Sequence, residues 1–287
     1  MVSAPLPGFP PEVAELLGLR SAAPALITAD RTFSHAEIRV HAEQVGGILR
    51  AQGIGPGRRV GLMLGNVPEF LVAFLAVAGL GGSAVLLSTY FRTYELKQNC
   101  GMLGLEMILA TESCRETLSS VSPGLQEDPA QFYGFESLRL FRLSAAIPGG
   151  ISAGPEGEMV VQFTSGVGGV SKAVGRTRDN IADELRNFCA ATGLSDCDRI
   201  LCMTPLFHAY GLVNGFLPAF FRGAWCCMPF ALGWTIPGSH TTPIFPETTG
   251  LATRVQWWCS SSIFTKRSRF LVLSSTRFWP IWLIGRE

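Results

Sequence analysis

Along the chain, short and almost wholly apolar runs alternate with longer amphipathic segments. Leu26-Ile27-Thr28 and Thr32-Phe33 flank the polar Ala29-Asp30-Arg31 and predict a small hairpin. Ser34, with Glu37 three residues on, forms a capping-box pair that opens a helix to about Ala51. Ile38, Ala42, Val45, Ile48 and Leu49 share one face of that helix, and Gly53, Gly55, Pro56 and Gly57 end it. Arg59 to Leu64 reads as a strand, and Asn66 is placed to cap the helix that Pro68 begins. Ala84 to Leu87 is the next strand, Thr93 caps a helix over Tyr94 to Leu103, and Met107 to Ala110 is another strand. Apolar strands this short, alternating with helices, predict an α/β fold of mostly parallel sheets flanked by helices.

Residues Ser119 to Gly154 are looser, with one weak strand near Leu138 to Leu143. Further on, Asn180 to Ala191 is an amphipathic helix with Ile181, Leu185, Phe188 and Cys189 inward. Asp196 and Asp198 read as cap and turn residues before a strand over Arg199 to Met203. Leu212 to Phe221 is an apolar helix that suits an acyl pocket and a packed core equally, and Ala224 to Met228 is a strand. From about Ala231 the pattern fails: tryptophans and Ser/Thr runs accumulate without a sustained period or helix caps.

Composition narrows the possibilities. With 47% hydrophobic and 16% charged residues over 287, the chain has ample material for a buried core. A formal net charge of +1 argues against a nucleic-acid partner held by bulk electrostatics. The eight cysteines form no C-x-x-C pair and no zinc-ligand spacing, the pattern of reduced thiols in a cytoplasmic protein. The first residues lack a basic stretch and do not read as a signal peptide. Phe70 to Tyr90 carries no charge, but Gly79-Leu80-Gly81-Gly82-Ser83 splits it into a helix-length and a strand-length piece. A core helix with a buried strand is therefore favoured over a membrane contact.

The chemistry gathers at Gln162-Phe163-Thr164-Ser165-Gly166-Val167-Gly168-Gly169-Val170-Ser171-Lys172, approached by apolar Met159-Val160-Val161. A strand running into adjacent hydroxyls, three glycines and a lysine can bring N–H groups, hydroxyls and a positive charge to an anion. It is not a Walker A loop, since Ser171 stands directly before Lys172 and Ala173 directly after. On loop chemistry alone, a phosphate cradle and an ordinary turn account for it equally. Taken alone, Lys172 also reads as a solvated lysine at a helix start, and His208 as a packed histidine in an apolar run.

The stretch Phe163 to Val174 resembles the signature loop of the adenylate-forming (AMP-binding) enzymes, which include acyl-CoA synthetases, peptide-synthetase adenylation domains and luciferases. Thr177-Arg178-Asp179-Asn180 resembles that family's Thr-His-x-Asn, with Arg178 in place of His. Pro205-Leu206-Phe207-His208-Ala209-Tyr210-Gly211 resembles its Pro-Leu-Phe-His-x-x-Gly. Upstream, Asn66-Val67-Pro68-Glu69-Phe70 and Ala78 to Leu87 resemble its opening sheet, so the likeness runs from about Pro24 to Pro229 in order. Val167 replaces the usual Ser or Thr, and Ser171 the usual Pro, leaving the loop with one hydroxyl fewer and less stiff.

The resemblance implies a ligase that joins a carboxylate, of the fatty-acid type, to AMP from ATP and then to CoA. Thr164, Ser165, Gly166, Gly168, Gly169 and Lys172 would hold the phosphates, with Mg2+ bridging phosphate oxygens. Lys172 and His208 would be the catalytic residues, His208 beside the substrate carboxylate. No protein metal ligand is implied. The expected organisation is an extension over residues 1–23, a partial AMP-binding domain over 24–230, and a divergent, poorly ordered tail over 231–287, as a shifted reading frame would produce. After residue 230 no Tyr-Gly-x-Thr-Glu, Thr-Gly-Asp or lid lysine is found. A catalytically inactive fragment with weak nucleotide binding is the alternative expectation, and a membrane-associated α/β protein without ligase chemistry is a third.

Overall fold

The structure, a computed structural model, describes residues 22–28, 31–144, 153–164, 171–202, 204–228 and the backbone of 270–273. Strands β1 (Pro24–Ile27) and β2 (Thr32–Ser34) pair antiparallel, and Ser34 caps α1 (His35–Ala51) through a complete capping box. There the Glu37 N–H donates to Ser34 Oγ (3.2 Å) and the Ser34 N–H to Glu37 Oε2 (2.8 Å). Next come β3 (Arg59–Met63), α2 (Pro68–Gly79), β4 (Ser83–Leu86), α3 (Thr93–Leu103) and β5 (Met107–Thr111). They are followed by α4 (Arg115–Val121), β6 (Gln126–Glu127), β7 (Leu138–Arg142), β8 (Glu158–Thr164), β9 (Lys172–Thr177) and α5 (Arg178–Thr192). The last are β10 (Arg199–Cys202), a π-helix over Tyr210–Phe216, α6 (Leu217–Arg222), β11 (Trp225–Cys227) and β12 (Phe270–Leu273).

One sheet has seven strands in the order β6-β7-β5-β3-β4-β8-β9. Its centre, β5-β3-β4-β8, is parallel as the apolar runs predict, and β9, β7 and β6 add antiparallel edges. Side chains alternate between two cores. Leu62, Leu86, Leu109 and Val160 pack with α2 on one face; Met63, Val85, Ile108 and Val161 pack with Leu96 and Cys100 of α3 on the other. The chain steps from β3 to β4 and then back across β3 to β5. Right-handed crossovers in opposite directions place their helices on opposite faces.

Glu158 is almost wholly buried at the amino ends of these strands. Arg59 Nε donates to its Oε1 (2.8 Å) and Arg59 Nη2 to Oε2 (3.0 Å), while Ser83 Oγ donates to Oε1 (2.8 Å). Three neighbouring strands are thus stapled at the end away from their carboxyl termini. A second sheet, β12-β10-β11-β1-β2, is parallel except for β2. It shares the α2-side core: Leu26, Ile200 and Cys226 belong to one cluster with Val60, Leu62 and the α1 residues Ile38 and Leu49.

Several local readings are corrected. The N-cap of α2 is Val67, and Asn66 makes no capping bond there. Helix α3 starts at Thr93 with Arg92 as N-cap, and the Thr93 hydroxyl meets that of Ser120 instead (3.2 Å). Lys172 opens a strand, not a helix. The run from Leu212 lies in a π-helix passing into α6, and its Leu212, Val213, Phe216, Leu217 and Phe220 are core residues. Helix α4 and strand β9 have no counterpart in the sequence reading: one is short and serine-bearing, the other a half-exposed edge interrupted by Gly175. Phe70 to Tyr90 divides into α2 and β4, and among the described residues no helix is long and apolar enough to cross a membrane.

Candidate active site

Strand β8 begins buried and emerges into solvent at Thr164. It runs parallel to β4, so Thr164 lies at the carboxyl edge of the parallel strands, where open α/β sheets hold their ligands. The returning β9 pairs Thr164 with Lys172, Phe163 with Ala173 and Gln162 with Val174. Directly opposed residues of an antiparallel pair project from the same face. The hydroxyl and the ammonium therefore stand side by side at the base of the glycine loop, both exposed. Ser165, Gly166, Gly168 and Gly169 lie outside the described residues.

His208 reaches the same edge from the other sheet. After β10 the chain turns through Thr204-Pro205-Leu206, with the His208 N–H donating to Pro205 O (3.0 Å). Asn66, just past β3, grips that turn: its Nδ2 donates to Thr204 O (3.2 Å), and the Leu206 N–H donates to its Oδ1 (2.7 Å). Gly211 closes the turn from beneath. A Cβ there would lie 2.7 Å from Thr204 O and nearer still to Pro205 O, so only glycine fits. Cys202 Sγ lies 3.5 Å from both Thr204 O and Gly211 O.

Aromatic rings line the edge between the two halves. Phe163 meets Phe91 edge-on at 6.0 Å, and Tyr90 meets Phe207 edge-on at 6.1 Å. Phe207 lies against His208 at 4.7 Å between ring centres, the two rings tilted, and His208 as a residue is exposed. Partial burial lowers the His208 pKa and so favours the neutral ring. His208 is accordingly not the packed histidine that its apolar surroundings predict.

Thr177 and Asn180 form the reciprocal cap of α5, each side chain accepting from the other residue's N–H at 3.2 Å. Arg178 donates to Ala78 O near the end of α2 (3.1 Å), docking the start of α5 against that helix. This stretch is structural. Asp198 likewise serves a turn, its Oδ2 accepting from the Ser195 N–H (2.7 Å) and hydroxyl (2.9 Å). A cleft of mixed lining, with Val174, Arg176, Asn180, Glu184, Phe188 and Asn214 among its walls, runs beside β9 and α5, but Thr164, Lys172 and His208 do not line it. Sequence reasoning missed the contacts of Asn66 and the approach of Tyr90 to Phe207, because each joins residues more than a hundred positions apart.

The family model described as AMP-binding enzyme matches residues 18–234. The chain belongs to the AMP-binding enzyme family. Among curated AMP-binding relatives, the acyl-CoA ligase sidI of Aspergillus fumigatus is 27% identical over 221 residues, covering 69% of this chain and 38% of its own length. The long-chain-fatty-acid–CoA ligase FadD13 of Mycobacterium tuberculosis is 25% identical over 192 residues, covering 65% of this chain and 38% of its own length. The O-succinylbenzoate coenzyme A synthetase of Bacillus subtilis, solved in complex with AMP, shares the fold. Its TM-score is 0.59 at 22% identity, over 76% of this chain and 55% of that one. The chain spans about two fifths of the length of the curated relatives it matches.

Proposed function

We propose that this chain carries the ATP-loop and carboxylate edge of an ATP-dependent acyl-CoA ligase, with an apolar acid of the fatty-acid type as substrate. The observation that carries the reading is the convergence at one sheet edge of the Thr164–Lys172 pair and the turn bearing His208. The Thr164 hydroxyl, Ser165, and the amides of Gly166, Gly168 and Gly169 hold the β- and γ-phosphate oxygens of ATP, and Lys172 offsets their charge. A carboxylate oxygen attacks the α-phosphorus and pyrophosphate leaves. The sulfur of CoA then attacks the acyl carbon, displacing AMP and releasing a proton. Neutral His208 can donate one hydrogen bond to the substrate carboxylate, and Tyr90, Phe91, Phe163 and Phe207 offer apolar surface for the acyl group.

Mg2+ supplies charge neutralisation on the phosphates when bound. Among the described residues no group of three His, Cys, Asp or Glu side chains could hold a metal ion. Mg2+ would be held by phosphate oxygens of the bound nucleotide, a mode suited to an ion that retains several waters. The organisation proposed is an extension over 1–23, the AMP-binding part over 24–230 and a divergent tail over 231–287, supported by a family match that ends at residue 234.

Carboxylate-dependent ATP–pyrophosphate exchange tests the proposal, with AMP and ATP titrated calorimetrically in parallel. A second reading, a nucleotide-binding chain without turnover, is favoured by the altered loop, in which Val167 stands for the usual Ser or Thr and Ser171 for the usual Pro. Exchange above the enzyme-free blank refutes that second reading. Nucleotide binding without exchange supports it, and no binding at all overturns both.

A further inference from the structure

We infer that Asn66 is a positioning residue: its carboxamide joins the two sheets at the reactive edge and holds the His208 turn in register with β3. Local sequence chemistry assigns Asn66 another role, since an Asn two residues before a Pro-initiated helix is a natural cap. The structure gives that place to Val67, which makes no side-chain bond, so α2 begins without the cap Asn66 could supply. The Asn66 carboxamide is turned instead to residues 138 and 140 positions away.

The two bonds match the chemistry of an amide. One donor meets Thr204 O and one acceptor meets the Leu206 N–H, so a side chain satisfies the carbonyl of one residue and the amide two residues on, as a neighbouring strand would. Aspartate could accept from Leu206 but not donate to Thr204, and leucine could do neither. Thr204 is buried, so losing the donor removes a partner from a carbonyl that has little access to water. Gly211 and Cys202 also restrain the turn, from the adjoining helix and from its own sheet. Through these two hydrogen bonds Asn66 ties the turn to the end of β3, in the sheet bearing Thr164 and Lys172.

The catalytic meaning of this clamp rests on the proposed function, but the clamp itself can be tested without a ligand. Amide exchange by NMR is compared in the full chain for wild type, Asn66→Ala, Asn66→Asp and Thr177→Ala, the last removing a helix cap elsewhere. In Asn66→Ala, the Leu206 amide should exchange roughly tenfold faster, the loss of one net hydrogen bond. Gly61, Leu62 and Met63 of β3 should keep their protection, Asn66→Asp should restore much of Leu206's, and Thr177→Ala should leave Leu206 unchanged. Unchanged Leu206 exchange in Asn66→Ala, or equal acceleration throughout β3, would overturn the inference.

A second arm measures affinity for AMP and for an acyl-sulfamoyl adenosine. Asn66→Ala should weaken the acyl compound roughly tenfold while leaving AMP unchanged. Equal weakening of both would refute a role specific to the carboxylate side. If wild type binds neither compound, the proposed function fails, while the Leu206 result still decides the clamp.

Discussion

Thr164 and Lys172 face each other across the last rung of the β8–β9 ladder, a hydroxyl and an ammonium held in register by the strands beneath. Lys172 is exposed and begins a half-exposed strand, so its charge adds little to folding and is available to an anion. Lys172→Met should lower ATP affinity by about ten- to a hundredfold, the range of a charge-assisted bond worth about 1.5–3 kcal/mol. Its unfolding midpoint should stay at the wild-type value. Calorimetric titration with ATP and a urea melt of the same preparation check both halves; wild-type ATP affinity would remove Lys172 from the site.

At the opposite end of the strands, Glu158→Ala should be among the most destabilising single changes. It removes the bidentate carboxylate from the Arg59 guanidinium, whose side chain is 9% exposed, a loss of about 3–5 kcal/mol. Gly175 lies so close that a Cβ there would come 2.6 Å from Glu158 Oε2, which shows how tightly the carboxylate is enclosed. Urea denaturation measures the loss. Nucleotide affinity, where the variant remains folded, should change little because the staple is at the far end of the sheet.

The pH dependence of stability should carry a contribution from His208. Burial lowers its pKa in the folded chain below the ordinary imidazole value of about 6.5. The unfolded chain then binds more protons between the lowered value and about 6.5, so stability rises with pH through that window. The contribution is complete above about pH 6.5 and is lost as pH falls through the folded pKa. Urea midpoints collected across this range should show a shallower slope in His208→Asn than in wild type. An identical slope would show that the ring is equally hydrated in both states.

Gly211→Ala should destabilise by about 1–3 kcal/mol or more, because the added methyl meets the backbone carbonyls of Thr204 and Pro205, which cannot rotate away as a side chain can. The displaced turn carries His208, so the His208 NMR signals should shift along with the melt. Loss of stability without any change at His208 would separate the glycine from the site.

Local chemistry made much of this protein legible from sequence alone. The Ser34–Glu37 box, the apolar runs of β3, β4, β5 and β8 and the amphipathic face of α5 follow from capping and burial within a few residues. The ordered motifs around Thr164, Lys172 and His208 carried the family, because residue type and spacing are themselves sequence properties. Tertiary structure decided where distant chemistry meets. It turned Asn66 from a helix cap into a tie between sheets, set Phe207 and Tyr90 at the same edge, and placed Lys172 opposite Thr164. Those outcomes depend on which strands become neighbours. A donor, acceptor or ring carries the same local signal whether its partner lies three residues away or a hundred and forty, and only strand order and register choose between them.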